Sequence, residues 1–522
     1  ERWAHAANAA KGVPQGSPTA GEEWFTGPYT ALTGMEALHA SLERIWRGHT
    51  TYDPEHVTVG PGGRAVVRVM PVDWHDHLLF SGYTSAVWMQ PDVTPANLAD
   101  HTASAYRDGG ADPSVCAILG AGNIGAIPIL DLVYKLFVEC RVCVLKLNPV
   151  NDYLGPIFED IFATMIQRGF VRILYGGADV GGMVTSHPDV DAVHITGSAR
   201  THDAIVFGGG DEGERRRRSG DVLLDKPITS ELGGATPVIV LPGPWTEADL
   251  RYQAEHVATM KHHNSGFNCV AAQVLVLPAQ WEHTDTFVSL IEDAIAAAPH
   301  RPLYYPGAQE RHDDAVARHE DVSSLGATGA PARSHLRDVE RGSFALAEEF
   351  FTPVLASIRL GGEGAVYLKE AVRFVNEEVH GTLGASIIAH PVTIDAFGED
   401  FDAAVEAMRY GCVGVNAWSA VGFSLPRASW GAYPGAPLTD IGSGRGVVHN
   451  AYMFDRPEKT VVNGPFRPMH RSWRLGHLHA SPKPPWFVTH ETAERAARAL
   501  TAFAADRSLR HLPAVVAAAL RG

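Results

Sequence analysis

From residue 115 onward the chain alternates two kinds of apolar pattern. Val115 to Leu119 is a continuous apolar run, Gly120-Ala-Gly-Asn123 breaks it, and apolar residues then recur at helical spacing over 127 to 138. Arg141 to Lys146 repeats the run, 154 to 168 repeats the helical spacing, and 171 to 174 and 190 to 195 supply two further runs. Runs that are apolar on both sides predict strands buried on both faces. Amphipathic helices between them predict a mostly parallel α/β sheet covered on two sides. This is a dinucleotide-domain architecture, with ligands expected beyond the carboxyl ends of the strands.

A second α/β unit begins near residue 238, with strands predicted over 238 to 241 and 274 to 277 around a helix over 247 to 260. After a mixed, polar stretch from 299 to 337, a loop (345 to 353), a helix (371 to 377) and strands (382 to 388 and 408 to 416) resume the rhythm. Upstream, the pattern predicts a helix over 35 to 47 and a strand over 65 to 72, while the first forty residues are weakly patterned and expected to wrap the surface. The region up to Pro485 is rich in Gly, Pro and Trp, and 491 to 505 reads as an Ala-rich amphipathic helix.

A length of 522 residues implies two or three lobes. The net charge of -16 argues against a nucleic-acid binder, which needs clustered Lys and Arg. The one basic run, Arg215 to Arg218, reads as a solvent loop. Five cysteines are too few and too odd in number for a disulfide scaffold, so a reducing, cytoplasmic setting is expected. Cys140-x-x-Cys143 enters a hydrophobic strand and reads as packing. No signal-peptide pattern and no apolar stretch of membrane-spanning length is evident, so no membrane insertion is expected.

Several residues could carry chemistry. Cys269 follows Gly266 and Asn268, and a dipolar environment there would favour its thiolate; an inert buried cysteine fits as well. Glu231 precedes Leu-Gly-Gly, where partial desolvation would raise its pKa toward that of a general base; the alternative is a surface or capping glutamate. Asn123 ends a buried strand and could donate to an oxyanion or form an Asx-turn. Lys146 is the lone charge in its run and suits a ribose or phosphate contact, or snorkels. Thr196-Gly197-Ser198 starts a helix and could hold pyrophosphate or simply cap it. Gly176-Gly177-Ala-Asp-Val-Gly181-Gly182 is glycine-rich without matching a strict dinucleotide fingerprint.

Taken in order from about 115 to 465, these segments resemble the aldehyde dehydrogenase superfamily. The matching blocks are Leu145-Lys146, Gly176 to Gly181, His187-Pro188 with Ile195 to Ser198, Glu231 to Gly234, Asn264 to Cys269, Glu348 to Pro353 and Gly411 to Asn416. The chain looks like an atypical member with a divergent N-terminal region and an extended C-terminal tail. The resemblance implies a Rossmann-type NAD(P)-binding domain over 1 to 237 that includes the wrapping segment, and an α/β catalytic domain over 238 to 440. A return segment with an oligomerisation strand would follow over 441 to 465, around Lys459 to Val462, and then an extension over 466 to 522.

The implied activity is oxidation of an aldehyde to a carboxylic acid with NAD or NADP through a thioester. By that resemblance Cys269 is the nucleophile, Asn123 an oxyanion donor and Glu231 the base. Lys146 and Glu349 contact ribose, Ser198, Gly197, Gly177 and Gly181 lie near the phosphates, and Phe351 lies at the nicotinamide. It also implies a homodimer or larger homo-oligomer.

Departures from the pattern matter. Ala121-Gly122 stands where the family has Pro-Trp, which is expected to open space near the substrate and keeps a coenzyme-A-acylating dehydrogenase or acyl-CoA reductase as the alternative. Pro149 replaces a glutamate of NAD-preferring members, so NADP should be tolerated. Residues 95 to 114 lack the alternation of the family's dimer hairpin. Trp418, Phe423, Trp430 and Phe267 would line an apolar tunnel for an apolar aldehyde, or equally belong to the core. His470, His477, His479 and His490 in the tail fit no compact metal motif, so no metal is expected; the tail is expected to pack over a neighbouring lobe or subunit.

Overall fold

The computed structural model describes residues 1–107, 110, 112–326, 331–467 and 483–522. Two sheets organise it. The six-stranded sheet runs in the order Gly444–Arg445, Ile228–Leu232, Ala192–Gly197, Val115–Leu119, Val142–Lys146, Val171–Leu174, parallel except for its first two-residue strand. The chain winds outward from 115–119 to 171–174, then returns to lay 192–197 on the opposite side. That reversal places a switch-point crevice between 115–119 and 192–197, where a ligand can enter between diverging loops.

The eleven-stranded sheet has a parallel centre: Pro457–Asn463, Cys412–Val415, Gly384–Ile388, Pro237–Val240, Val274–Pro278, Val354–Leu360 and Ser334–Leu336. Antiparallel Thr84–Met89, Ala65–Met70 and Val57–Val59 extend one edge, and Val322–Ser324 the other. Central strands such as 274–278 and 384–388 are buried along their whole length, which is why their sequences show no alternation.

Two expectations need correction. Residues 210–219 form a helix rather than a loop. Glu212 pairs with Arg215 and Arg216, and Glu214 with Arg217 and Arg218, all at helical spacing, with acids in the first turn, bases in the last and Gly220 left-handed at the C-cap. The first forty residues do not wrap the surface: helices Arg2–Ala10, Gly21–Trp24 and Thr30–Trp46, the last two joined through a π-helical segment Phe25–Tyr29, bury Trp3, Trp24, Phe25 and Tyr29. Residues 95 to 114, expected to lack a hairpin, hold no strand among those described, and the antiparallel pair of this region is 65–70 with 84–89.

Strand 457–463, in which the resemblance sees an oligomerisation strand, has both edges filled from its own chain, by 412–415 and by 84–89. The described part of the tail packs on the N-terminal helices of the same chain: Ala493–Asp506 lies against Gly21–Trp24, and Trp486 meets Phe25, Phe80 and Tyr83. His470, His477 and His479 lie outside the described residues, and among the described residues no group of three or more His, Cys, Asp or Glu could hold a metal. No helix among the described residues is long and apolar enough to cross a membrane.

Candidate active site

Cys269 follows a turn with left-handed backbone at Asn264 (φ 53), Ser265 (φ 56) and Gly266 (φ 78). Two consecutive non-glycine residues in that region are strained, so outside contacts must hold them. Glu22 accepts the Asn264 N–H at 2.8 Å, the Asn264 amide donates to the Asn123 and Phe267 carbonyls at 3.2 and 3.1 Å, and Ser265 Oγ donates to Pro302 at 2.8 Å. Position 266 favours glycine: its φ is positive and a Cβ would lie 3.1 Å from the Thr352 carbonyl. The turn delivers the Cys269 thiol, half-buried, between two cavities.

Glu231 projects from strand 228–232 and is 4% exposed, with Trp430 Nε1 donating to Oε1 at 3.2 Å. Burial raises its pKa to about 7, and Asp131 adds to the rise against the opposing contacts of Cys269 and Trp430. The thiol of Cys269 is pushed well above its ordinary range, first by burial and then by the Glu231 carboxylate. Free of ligand, the pair therefore keeps the proton on sulfur while Glu231 titrates near neutrality.

The larger cavity, about 730 Å³, lies at the switch-point crevice, and all the catalytic and cofactor-side candidates line it: Asn123, Lys146, Gly177, Gly181, Gly197, Ser198, Glu231, Cys269, Glu349 and Phe351. Asn123 is buried in the loop after 115–119, its amide donating to the Phe267 carbonyl at 2.9 Å. Lys146 ends strand 142–146; burial lowers its pKa against the opposing charges of Asp179 and Asp152. Ser198 caps helix Ala199–Phe207 by accepting the Thr201 N–H at 3.2 Å, so the ordinary capping role is real even though the residue faces the cavity. Glu349 lies against Gly233, where a Cβ would stand 1.9 Å from Oε1, and its pKa is raised by burial and by Glu231. Phe351 is held at φ 46, with Arg311 donating to its carbonyl at 3.1 Å.

The smaller cavity, about 60 Å³, opens on the other side of Cys269 and is apolar, with Trp418, Phe423 and Trp430 in its wall. Phe267 is not part of it: fully buried, it packs on Tyr304, Tyr305 and Phe351. Phe25, Phe80 and Trp486 complete the wall from the two ends of the chain, and nothing in their local sequence marks them, since distant segments meet there only after folding. Ala121-Gly122 borders the larger cavity, so any space it leaves is on that side.

The larger cavity fits a dinucleotide in the chemistry of its walls. An ammonium (Lys146), a hydroxyl (Ser198) and a carboxylate (Glu349) surround it, and the N-termini of helices Ala178–Thr185 and Ala199–Phe207 border it. Fold and site together define a two-lobed α/β protein of the dinucleotide-binding class with a cysteine and a carboxylate at the crevice mouth.

The chain belongs to the aldehyde dehydrogenase family, whose profile, described as "Aldehyde dehydrogenase family", matches residues 126–430. Its six-stranded sheet is the NAD(P)-binding Rossmann-type unit of that family. Among curated relatives it is 26% identical to aminoaldehyde dehydrogenase 2, peroxisomal, of Pisum sativum over 53% of this chain and 56% of that protein. It is 27% identical to geranial dehydrogenase of Castellaniella defragrans over 48% and 51%. The chain thus spans about half the length of the curated relatives it matches. The fold also superposes on the aldehyde dehydrogenase KauB of Pseudomonas aeruginosa with a TM-score of 0.53 at 16% identity, covering 87% of this chain and 86% of that one.

Proposed function

We propose that the protein oxidises an apolar aldehyde to a carboxylic acid with NAD(P)+ through a thioester on Cys269. The observation that carries this reading is the position of Cys269 between a dinucleotide-sized crevice and an apolar cavity, beside a buried carboxylate that titrates near pH 7. The Cys269 sulfur attacks the aldehyde carbon as its proton passes to Glu231. One N–H of the Asn123 amide is engaged by the Phe267 carbonyl; the other serves the substrate oxygen as charge develops on it. Lys146, Ser198 and Glu349 would hold a nicotinamide dinucleotide, which would supply the two-electron acceptor by which the carbon on Cys269 becomes an acyl group.

Glu231, having released that proton to solvent, takes a proton from water as that water attacks the thioester, and the collapse that follows breaks the carbon–sulfur bond and returns the proton to sulfur. The acid departs and the thiol is restored. A buried base beside the nucleophile supports water over coenzyme A as acyl acceptor. Trp418, Phe423, Trp430 and Trp486 support an apolar substrate, because a charged or strongly hydrated aldehyde would lose its water there without replacement. The test is an aldehyde panel of graded chain length, read at the absorbance of the reduced nicotinamide with NAD and with NADP, with and without coenzyme A. Acid formation without coenzyme A is the expected result; an acyl-CoA product formed only in its presence would replace this reading with the acylating one.

A further inference from the structure

Lys11 follows the first helix in a part of the chain that precedes the family match. It is 5% exposed, and its ammonium donates to Glu23 Oε1 at 2.5 Å, to the Asn123 carbonyl at 2.9 Å and to Asn264 Oδ1 at 3.3 Å, which uses all three of its protons. Tyr304 stands beside it, with its ring centroid 4.6 Å from Nζ and its hydroxyl 3.0 Å from the same Asn123 and Asn264 oxygens. Burial alone would favour the neutral amine, but the Glu23 carboxylate reverses this and keeps Lys11 charged. The neighbouring Glu22 accepts the Asn264 N–H at 2.8 Å and pairs with Arg301 at 2.6 Å.

The cation therefore joins two segments that meet nowhere in sequence. One is the loop that ends in Asn123. The other is the left-handed turn that precedes Cys269, whose Phe267 carbonyl accepts from both the Asn123 and the Asn264 amides. A charged donor bound to both segments fixes the distance between amide and thiol more firmly than neutral contacts, because charge-assisted bonds are shorter and stronger. We infer that Lys11 is a positioning residue for the reaction at Cys269: from the N-terminal helix it sets the Asn123 amide against the turn that carries the thiol.

The inference rests on the aldehyde-oxidising reading, and one of its tests does not need that reading. Lys11→Met leaves the Glu23 carboxylate buried alone, so the charge-balanced Lys11→Met with Glu23→Gln is made beside it in the full chain. For the balanced variant, the urea midpoint and cofactor Kd should stay near the wild-type values. The burst of reduced nicotinamide should slow by about 10²-fold, the scale of a misplaced reacting group, with the aldehyde KM nearly unchanged.

Alkylation of Cys269 by iodoacetamide, read without aldehyde, should become about fivefold faster, because a relaxed turn exposes the sulfur. Wild-type rates of both burst and alkylation in a folded balanced variant would overturn the inference. So would loss of a cooperative urea transition, which would make Lys11 a folding residue only. If wild-type protein shows no burst with any aldehyde, the functional reading fails, and the alkylation rates alone decide the role of Lys11.

Discussion

Replacing Glu231 with Gln should stabilise the protein above neutral pH while stalling its second chemical step. The carboxyl is 4% exposed, and burial raises its pKa from 4.5 to about 7. The folded state thus binds this proton more tightly than the unfolded chain does, and stability is lost as pH rises from the unfolded value through the folded one. Ionising the group in the folded state costs about 3 kcal/mol by the time pH exceeds 7. Cys269 does not share the titration, because burial and Glu231 both keep its thiol protonated there. A glutamine of the same shape still accepts from Trp430 Nε1 and never ionises.

Urea unfolding of wild type and Glu231→Gln at intervals from pH 4.5 to 8.5 should therefore show curves that coincide at the acid end. They should separate to about 3 kcal/mol at the alkaline end, with the variant the more stable. Kinetically, the burst of reduced nicotinamide should slow, because the Cys269 thiol loses its proton acceptor, and steady turnover should fall further, by about 10² to 10⁴-fold, the range for loss of a general base. The wild-type deacylation rate should rise with pH through about 7 and level off; the variant should lose that rise. Parallel stability curves across the whole range would show that the carboxylate is not desolvated, and unchanged deacylation would remove Glu231 from the mechanism.

Cys269→Ala should abolish turnover yet leave cofactor Kd nearly unchanged by titration calorimetry, since Lys146, Ser198 and Glu349, the charged and polar groups of the crevice offered to the cofactor, stay in place. Asn123→Ala should lower the burst rate by about 10² to 10³-fold, the effect of removing one oxyanion donor, with cofactor Kd preserved. Trp486→Ala should lengthen the apolar cavity: kcat/KM is expected to keep climbing by about fourfold per added methylene, from about 0.8 kcal/mol each, beyond the chain length at which wild type levels off. Asp179→Asn should move the ratio of kcat/KM for NADP over NAD upward by about threefold, because an exposed carboxylate acting on Lys146 repels a 2′-phosphate modestly; an unchanged ratio would place the 2′ position elsewhere.

Much of the site was legible because each of its groups sits at the end of a buried strand or in a turn with a local signature. Asn123 and Lys146 stand where apolar runs stop, and Glu231 and Cys269 stand within three residues of glycines. The helix at 210–219 has its signal in the sequence, with Glu212 and Glu214 three and four residues before the arginines, but the glycines at 208–210, 213 and 220 point toward a loop. Phe267 reads equally as tunnel or core, because periodicity does not say which side of a turn a ring will face.

The sequence by itself therefore determined the alternation of buried strands and amphipathic helices behind the parallel α/β plan, and marked Asn123, Glu231 and Cys269 as candidates, because each of these signals lies within a short stretch of chain. Only the tertiary structure decided that the two ends of the chain finish the site. Lys11 joins Asn123 to Asn264 across 112 and 253 residues, and Phe25 and Trp486 close the apolar cavity together. Such contacts leave no periodic trace, because the free energy that selects them comes from desolvation and charge pairing between segments that meet only after the chain has folded.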